Sequence, residues 1–419
     1  MNVDVAVYCG AEAISRLIGY CQSHRIDRFL LVSDSNTYAA LGQKVEADLR
    51  EREWDVRTVI LDGAHVIADE RHIFEVLFHA HAEARMYLAV GSGTITDITR
   101  YASFCSRNGF VSLPTAPSVD AYTSVGAALT MGGFKKTVPC QVPLAVFADL
   151  HTLCQAPRDM IAAGFGDVLG KYISLADWQL GHLLLDEPYD AGVAGRLRRA
   201  LLICVENAKA IGRASKGGIA ALMEGLLESG LCMAEFGSSR PASGAEHIFS
   251  HFWEMKRAQQ GHPAILHGIK VGLGTVLAAR RYEAIRSMEQ KEAISRLSSA
   301  SWPDMEDDIA RIRTAYGPVA DRIIADHRPF LEHLEAHLCA LKQNIVDCWP
   351  AIHEIAATVP PPARIIQLLE SQTLGVSENP KGLQAIGLDD RDVGQALRFS
   401  HYLRGRFTVS TLGRMLGLW

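Results

Sequence analysis

In PASGAEHIFSHFWEMK (241–256), His247 and His251 stand four residues apart, with Glu246 directly before the first. His267 follows in PAILHGIK. Four-residue spacing puts His247 and His251 on one face of a helix. There they are open to three uses: metal ligands, substrate contacts, or packing on a helix face. The pattern is not H-E-x-x-H, because no Glu follows His247. A carboxylate joins them in AAGFGDVLGKYISLADW (162–178), where Asp167 lies among glycines in an apolar helical segment. Such a carboxylate needs a partner, either a metal ion or Lys171 four residues on. Asp167, His247 and His267 together offer one carboxylate and two imidazoles, with positions left over for substrate or water. That donor set suits catalytic zinc, nickel or iron.

Three further stretches suggest a nucleotide. In AVGSGTITDITRYAS (89–103) a strand runs into Gly91-Ser92-Gly93, with Thr94 expected as the N-cap of the next helix. Amides at a helix N-terminus suit a pyrophosphate. Thr96 replaces the third glycine of G-x-G-x-x-G, so a plain tight turn is the competing reading. Asp34 ends the strand DRFLLVSD (27–34). An acid there suits a ribose hydroxyl and repels a 2′-phosphate, which favours NAD over NADP; an N-cap on SDSNTY explains it equally well. LPTAPSVDAYTSVGAALTMGGFKKTV (113–138) is rich in small and hydroxyl residues around Asp120. Lys135 and Lys136 there either meet a phosphate or sit on the exposed turn of a β-hairpin, and the hairpin is preferred.

The elements that must position these residues fall into two kinds. Strands at 27–34, 56–61, 86–94 and 109–118 alternate with helices at 36–52 and 70–84. Such alternation predicts a mainly parallel α/β sheet, with ligands beyond the carboxyl ends of its strands. After about residue 155 the periodicity is helical to the end, punctuated by VPPPAR (359–364) and SENPKG (377–382). The layout expected is an α/β domain over 1–155 and an all-α domain over 156–419, with chemistry in the cleft between them. VGLGTVLAARRYEAI (271–285) suits either a dimer interface or a domain core.

Composition sets the class. The chain has 419 residues, enough for two cores, with 48% hydrophobic and 21% charged residues. A net charge of −5 argues against nucleic acid as partner. No run reaches the length of a membrane span, and MNVDVAVYCGAEAI carries no basic-then-apolar signal pattern. Nine scattered cysteines without a C-x-x-C pair fit reduced thiols in a cytoplasmic protein.

In order along the chain, AVGSGTITDITRY, PTAPSVDAYTS, AAGFGDVLGKYISLADW, SSRPASGAEHIFSHFWEM and ILHGIKVG resemble the sn-glycerol-1-phosphate dehydrogenases, bacterial branch. That family lies within the superfamily of iron-containing alcohol dehydrogenases, glycerol dehydrogenase and 3-dehydroquinate synthase. The resemblance covers nearly the whole chain. It implies a dehydroquinate synthase-like fold: a Rossmann-like NAD(P)-binding domain followed by a helical metal- and substrate-binding domain. It implies NAD(P)H-linked reduction of dihydroxyacetone phosphate to sn-glycerol 1-phosphate, as in phospholipid biosynthesis. The cofactors implied are NAD or NADP and one divalent metal, Zn²⁺ or Ni²⁺, with Fe²⁺ also open.

Carried over by position, the metal ligands are Asp167, His247 and His267. The dinucleotide lies along Gly91, Gly93, Thr94, Ile95, Thr96, Asp97, Thr115, Ala116, Pro117, Ser118 and Ser124, with Asp34 near the ribose. Asp120, Asp167 and His251 contact the substrate and act in catalysis. Spacing alone gives both His247 and His251 to the metal; the resemblance divides them. The departures are GSG for a common GGG, Arg100 for a common lysine, and a longer stretch before His267, in which His262 is the other candidate ligand. Lys135, Lys136, Lys171, Arg240, Lys256 and Lys270 are candidates for the substrate phosphate. A homo-oligomer is expected, a homodimer first. The competing functions are a polyol dehydrogenase, an NAD-dependent sugar-phosphate cyclase, and a binding protein without turnover.

Overall fold

The computed structural model describes residues 5–63, 66–81, 83–132, 134–299, 304–372 and 380–418. Two compact units emerge: Met1–Val168 with Arg199–Ser239, and Leu169–Arg198 with Arg240–Trp419. A single boundary after residue 155 was expected; instead the segment Arg199–Ser239 joins the first unit. Part of SENPKG lies outside the described residues.

Among the described residues the first unit is built on eight strands: β1 (Ala6–Gly10), β2 (Arg28–Asp34), β3 (Asp55–Leu61), β4 (Met86–Gly91), β5 (Phe110–Pro114), β6 (Gly126–Met131), β7 (Phe134–Pro139) and β8 (Ala145–Asp149). Six of them form one parallel sheet in the order β1-β8-β5-β4-β2-β3. The inner strands β4, β5 and β8 are buried almost throughout, as expected where both faces are covered. Alternate residues feed two cores. Phe29, Leu31, Leu88 and Val90 enter one, and Leu30, Val32, Tyr87 and Ala89 the other. β1 and β8 were not anticipated. β1 is an edge strand with no fully buried residue, so it lacks the apolar run that marks β2. β6 and β7 pair as the antiparallel hairpin predicted, but Lys135 and Lys136 lie in β7, opposite Thr130 and Leu129, rather than on its turn.

The helix expected over 36–52 is broken, with a wider π-type turn at Tyr38–Gly42 between Ser35–Thr37 and Gln43–Arg50. Asp34 caps its start. Its carboxylate accepts the Thr37 N–H at 2.8 Å, and the Thr37 hydroxyl accepts the Asp34 N–H at 3.0 Å.

Among the described residues the second unit contains no strand. Helix His267–Ser287, which covers 271–285, is buried on most of its circumference and is a core element of this unit. The unit also buries an unusual amount of charge. Asp308 takes hydrogen bonds from Arg414 and Tyr402, both at 2.5 Å, and Arg240 pairs with Glu187 at 2.6 Å.

Candidate active site

In the first unit the strand register collects the nucleotide residues. Val32 of β2 pairs with Ala89 of β4, so Asp34 and Gly91, each two residues on, end level. Gly91 in turn pairs with Pro114, and the Thr115 N–H donates to the Gly91 carbonyl at 3.2 Å. β2 and β4 flank the point where the strand order reverses, because the chain goes from β2 out to β3 and returns on the other side of β2. The crevice beyond the carboxyl ends at such a point is where open α/β sheets bind ligands. The acid thus precedes the glycines in sequence, yet the two meet at one level.

Helix Gly93–Cys105 starts two residues earlier than expected. Ser92, not Thr94, is the N-cap, and no side chain caps this end. Ser92 is already extended and its carbonyl accepts the Thr96 N–H, which leaves Thr94 inside the first turn. An end without a side-chain cap leaves its first amides to a ligand. Behind this turn Arg100 is wholly buried. It bonds to Asp97 at 3.0 Å and to the carbonyls of Ala121, Tyr122 and Gly126 at 2.6, 3.1 and 2.9 Å. One guanidinium therefore ties this helix to the loop that carries Asp120. Burial pushes the Asp97 carboxyl up to about 6, against the pull of Arg100 and Lys135. Tyr122 completes the loop by donating to the Ala116 carbonyl at 2.5 Å, which fixes the Thr115–Ser118 turn.

Asp120 and Asp167 are joined in this unit, where the Asp120 N–H donates to Asp167 Oδ2 at 3.0 Å. The Ser229 hydroxyl donates to Asp120 Oδ2 at 2.8 Å, and the Thr123 hydroxyl to the Leu227 carbonyl at 2.7 Å. Both contacts reach helix Lys216–Phe236, which is why this segment belongs with the sheet unit. The helix holding Asp167 lies so close to the loop that a Cβ at Gly164 would collide with the Pro117 carbonyl.

In the second unit His247 and His251 lie on helix Ala245–Gln259, and His267 opens helix His267–Ser287. The helices cross closely, since a Cβ at Gly274 would collide with the backbone of Glu246. The ring centroids of His247 and His267 are 5.1 Å apart; His251 lies 6.3 and 5.7 Å from them. His247 Nδ1 is 2.7 Å from Glu246 Oε1, which also accepts the Gly244 N–H at 2.8 Å. A carboxylate on Nδ1 fixes the tautomer and leaves Nε2 to a metal. His251 Nε2 is 3.3 Å from Arg404 Nη2, and its Nδ1 is 3.7 Å from Glu254 Oε2. Because Arg404 can only donate, Nε2 accepts and the proton sits on Nδ1.

Asp167 is buried in the first unit; in the second, His247 is buried and the neighbouring His267 half-buried. Two adjacent imidazoles, with His247 preset by Glu246, and a buried carboxylate are donor types that fit a divalent ion. His262 is exposed.

The phosphate candidates are employed elsewhere in part. Arg240 binds Glu187 and the Asp177 and Phe407 carbonyls; Lys171 donates to the Ala242 carbonyl and Lys270 to the Ile265 carbonyl. Lys256 is half-buried. Sequence reasoning passed over Ser229, Arg100 as a brace, Glu246 as partner of His247, and Arg404. Only Glu246 had a local signal, its place beside His247 at a helix start. Ser229 and Arg404 gain their roles from partners more than 100 residues away.

A family model described as iron-containing alcohol dehydrogenase matches residues 8–157. The chain is 38% identical to the glycerol-1-phosphate dehydrogenase (NAD(P)+) of Geobacillus stearothermophilus over 96% of this chain and 90% of that one. It is 46% identical to the enzyme of the same name from Halalkalibacterium halodurans, over 65% of this chain and 69% of that one. Among solved structures, maleylacetate reductase from Agrobacterium tumefaciens shares the fold. Its TM-score is 0.59 at 12% identity, with 100% of this chain and 96% of that one covered. With its parallel sheet, its glycine turn and an identity of 38% along almost its full length, the chain belongs to the glycerol-1-phosphate dehydrogenase (NAD(P)+) family.

Proposed function

We propose that this chain is an oxidoreductase interconverting dihydroxyacetone phosphate and sn-glycerol 1-phosphate with NAD(P)(H). The observation that carries this reading is the pair His247 and His267, with ring centroids 5.1 Å apart and Glu246 on His247 Nδ1, in a chain of this family. Asp167, His247 and His267 would hold a divalent ion, which would supply Lewis-acid chemistry at the substrate carbonyl, while a bound dinucleotide would supply the hydride; zinc, nickel and iron all suit the donor set.

The protein's own part is positioning and proton supply. The level ends of β2, β4 and β5 bring Asp34, the Gly91–Asp97 turn and the Thr115–Ser118 turn along one dinucleotide path, with Ser124 further along the loop. Asp34 keeps one carboxylate oxygen on Thr37, and a carboxylate has a second oxygen for a ribose hydroxyl. Asp120, held by Ser229, orients a substrate hydroxyl. His251, with its proton on Nδ1, stands a helical turn beyond His247 and takes part in proton delivery to the nascent alkoxide. The substrate is a small molecule, and no helix among the described residues is long and apolar enough to cross a membrane. The proposal extends to a cytoplasmic setting, supported by nine free cysteines, and to a homodimer, which light scattering tests.

The test is NADH oxidation by protein loaded in turn with Zn²⁺, Ni²⁺ and Fe²⁺. Dihydroxyacetone phosphate, dihydroxyacetone and no substrate are compared, with chiral analysis of the product. Turnover of the phosphate alone to sn-glycerol 1-phosphate is expected. Equal turnover of the unphosphorylated ketone would move the chain to the polyol dehydrogenases.

A further inference from the structure

Helix Glu70–Ala80 packs Ile73, Val76 and Ala80 onto the core of the sheet unit. The outward face of such a helix is ordinarily polar. Here it carries Phe74 and Phe78, 68% and 65% exposed, one turn apart with ring centroids at 6.3 Å. Among the described residues no other large apolar side chain is as exposed. The patch continues past the start of the helix. The Gly132 N–H donates to Glu70 Oε1 at 3.3 Å and the Thr130 N–H to the Ala68 carbonyl at 2.8 Å, which sets the end of β6 beside this segment. Ile67 and Met131, 44% and 40% exposed, lie there.

Two charges of opposite sign share this face. Arg71 and Glu75 stand one turn apart and flank Phe74. Cation before anion is the weaker order for a pair within one helix, and among the described residues neither forms an ion pair. A twofold axis crossing the helix at the level of residue 73 would lay a second copy antiparallel to the first. Arg71 then stands opposite Glu75 of the partner subunit, and the reverse holds at the symmetric place. The two Phe74 rings meet at the axis, and Phe78 falls against Ile67 of the partner subunit. An axis at residue 76 would pair Phe74 with Phe78 but set Arg71 against a histidine, His81, and Glu75 against Leu77. The charges therefore choose the first arrangement.

We propose that this face docks a second copy of the chain, helix against antiparallel helix, with Phe74 and Phe78 as the apolar centre and an Arg71–Glu75 pair on each side. This rests on the homodimer proposed above and is independent of the substrate. A closed twofold contact needs a surface complementary to itself, and an apolar strip bearing one cation and one anion meets that need. Two rings exposed to this degree would bury on the order of 250 Å² per subunit, against about 800 Å² in a standard interface, so Ile67, Met131 and the polar rim supply the rest. A lipid surface of one charge fits a face of mixed sign less well.

The experiment measures the dimer dissociation constant by sedimentation equilibrium. It compares the wild type with Phe78→Glu, Arg71→Glu, Glu75→Arg and the double exchange of both charges, with Tm as the check of folding. Phe78→Glu should weaken association about 100-fold or more. Each single reversal sets like charges opposite each other at two symmetric places and should weaken it about 10- to 100-fold, while the double exchange should return to within about threefold of the wild type. A dimer that Phe78→Glu leaves intact overturns this surface alone, and single reversals without effect, or a double exchange no tighter than either, overturn the antiparallel arrangement. A monomeric wild type overturns the homodimer and this surface together; if it instead pellets with phosphatidylglycerol vesicles, the patch belongs to a lipid surface. None of these outcomes bears on the ketone reduced, which the activity assay decides. If Phe78→Glu does not fold, hydrogen exchange on the wild type serves. Residues 70–80 should gain protection as the protein concentration rises through the dissociation constant, and constant protection would refute the docking face.

Discussion

The two units hold their chemistry by different means. In the sheet unit the functional positions are backbone ends: Asp34, Gly91 and Pro114 lie level because parallel strands pair in register. In the helical unit the functional positions are side chains held by other buried side chains. His247 depends on Glu246 and His251 contacts Arg404, while Asp177 accepts from Tyr282 at 2.6 Å and from the Ala245 and Val409 amides at 2.7 Å. A strand pattern carries its own geometry, since pleat and register fix where each residue ends. A helix pattern tells only which face is apolar. The helical unit therefore concentrates long-range polar contacts, and burial pushes the Asp177 carboxyl up to about 7.

The largest effect sharpens this contrast. His247→Ala should abolish turnover and release the metal, whereas His251→Ala should retain metal and lose much of kcat/KM. Elemental analysis beside kinetics checks both, and equal metal loss would end the division of roles. Next comes a deep polar brace of the sheet unit. Arg100→Ala removes one donor from Asp97 and from each of three carbonyls. It should cost about 3–5 kcal/mol in urea unfolding; a cost below about 1 kcal/mol would make the brace dispensable. Third, Glu246→Gln removes the anion behind His247 and should weaken metal binding about 10- to 100-fold by chelator competition. Unchanged affinity would show that helix packing alone sets the ring.

A pH experiment probes the helical unit by the sign of a titration. Burial, then the Arg414 charge, pushes His327 down to about 3 from an ordinary value of 6.5. The folded state keeps it neutral while the unfolded chain takes up a proton below pH 6.5. Its contribution is complete above pH 6.5 and is lost as pH falls towards 3. His327→Gln removes that dependence. The wild type should therefore lose about 1.4 kcal/mol per pH unit relative to the variant between pH 6 and 4. Taking the difference cancels Asp177, whose raised value has the opposite slope in both proteins. Parallel Tm profiles would refute the buried neutral histidine. The smallest effect is in the sheet unit, where Asp34→Ala should cost about 1 kcal/mol as a lost cap. A rise in KM for NADH beyond that effect would mark the ribose contact.

Local pattern reached a long way. The strands at 27–34, 56–61, 86–94 and 109–118 appear within a few residues, and the hairpin appears as expected. His79, His81 and His182, which read as surface residues in the sequence, are exposed. Thr94 failed as a cap because the choice between Ser92 and Thr94 depends on where β4 stops pairing, which no single residue encodes. The grouping of helices was hidden for a related reason. Arg199–Ser239 reads as helix whichever unit it packs on, and long-range contacts such as Thr123–Leu227 and Asp120–Ser229 place it with the sheet unit.

By itself, the sequence determined the parallel sheet, the helical remainder and the identities of the donor atoms, because periodicity and residue chemistry are local properties. Tertiary structure decided that Asp34 ends level with Gly91, that Asp120 meets Asp167, that His247 meets His267, and that Arg404 touches His251. Those meetings join residues up to 153 positions apart. Loop closure over such distances leaves no local trace, so only the packed core specifies them.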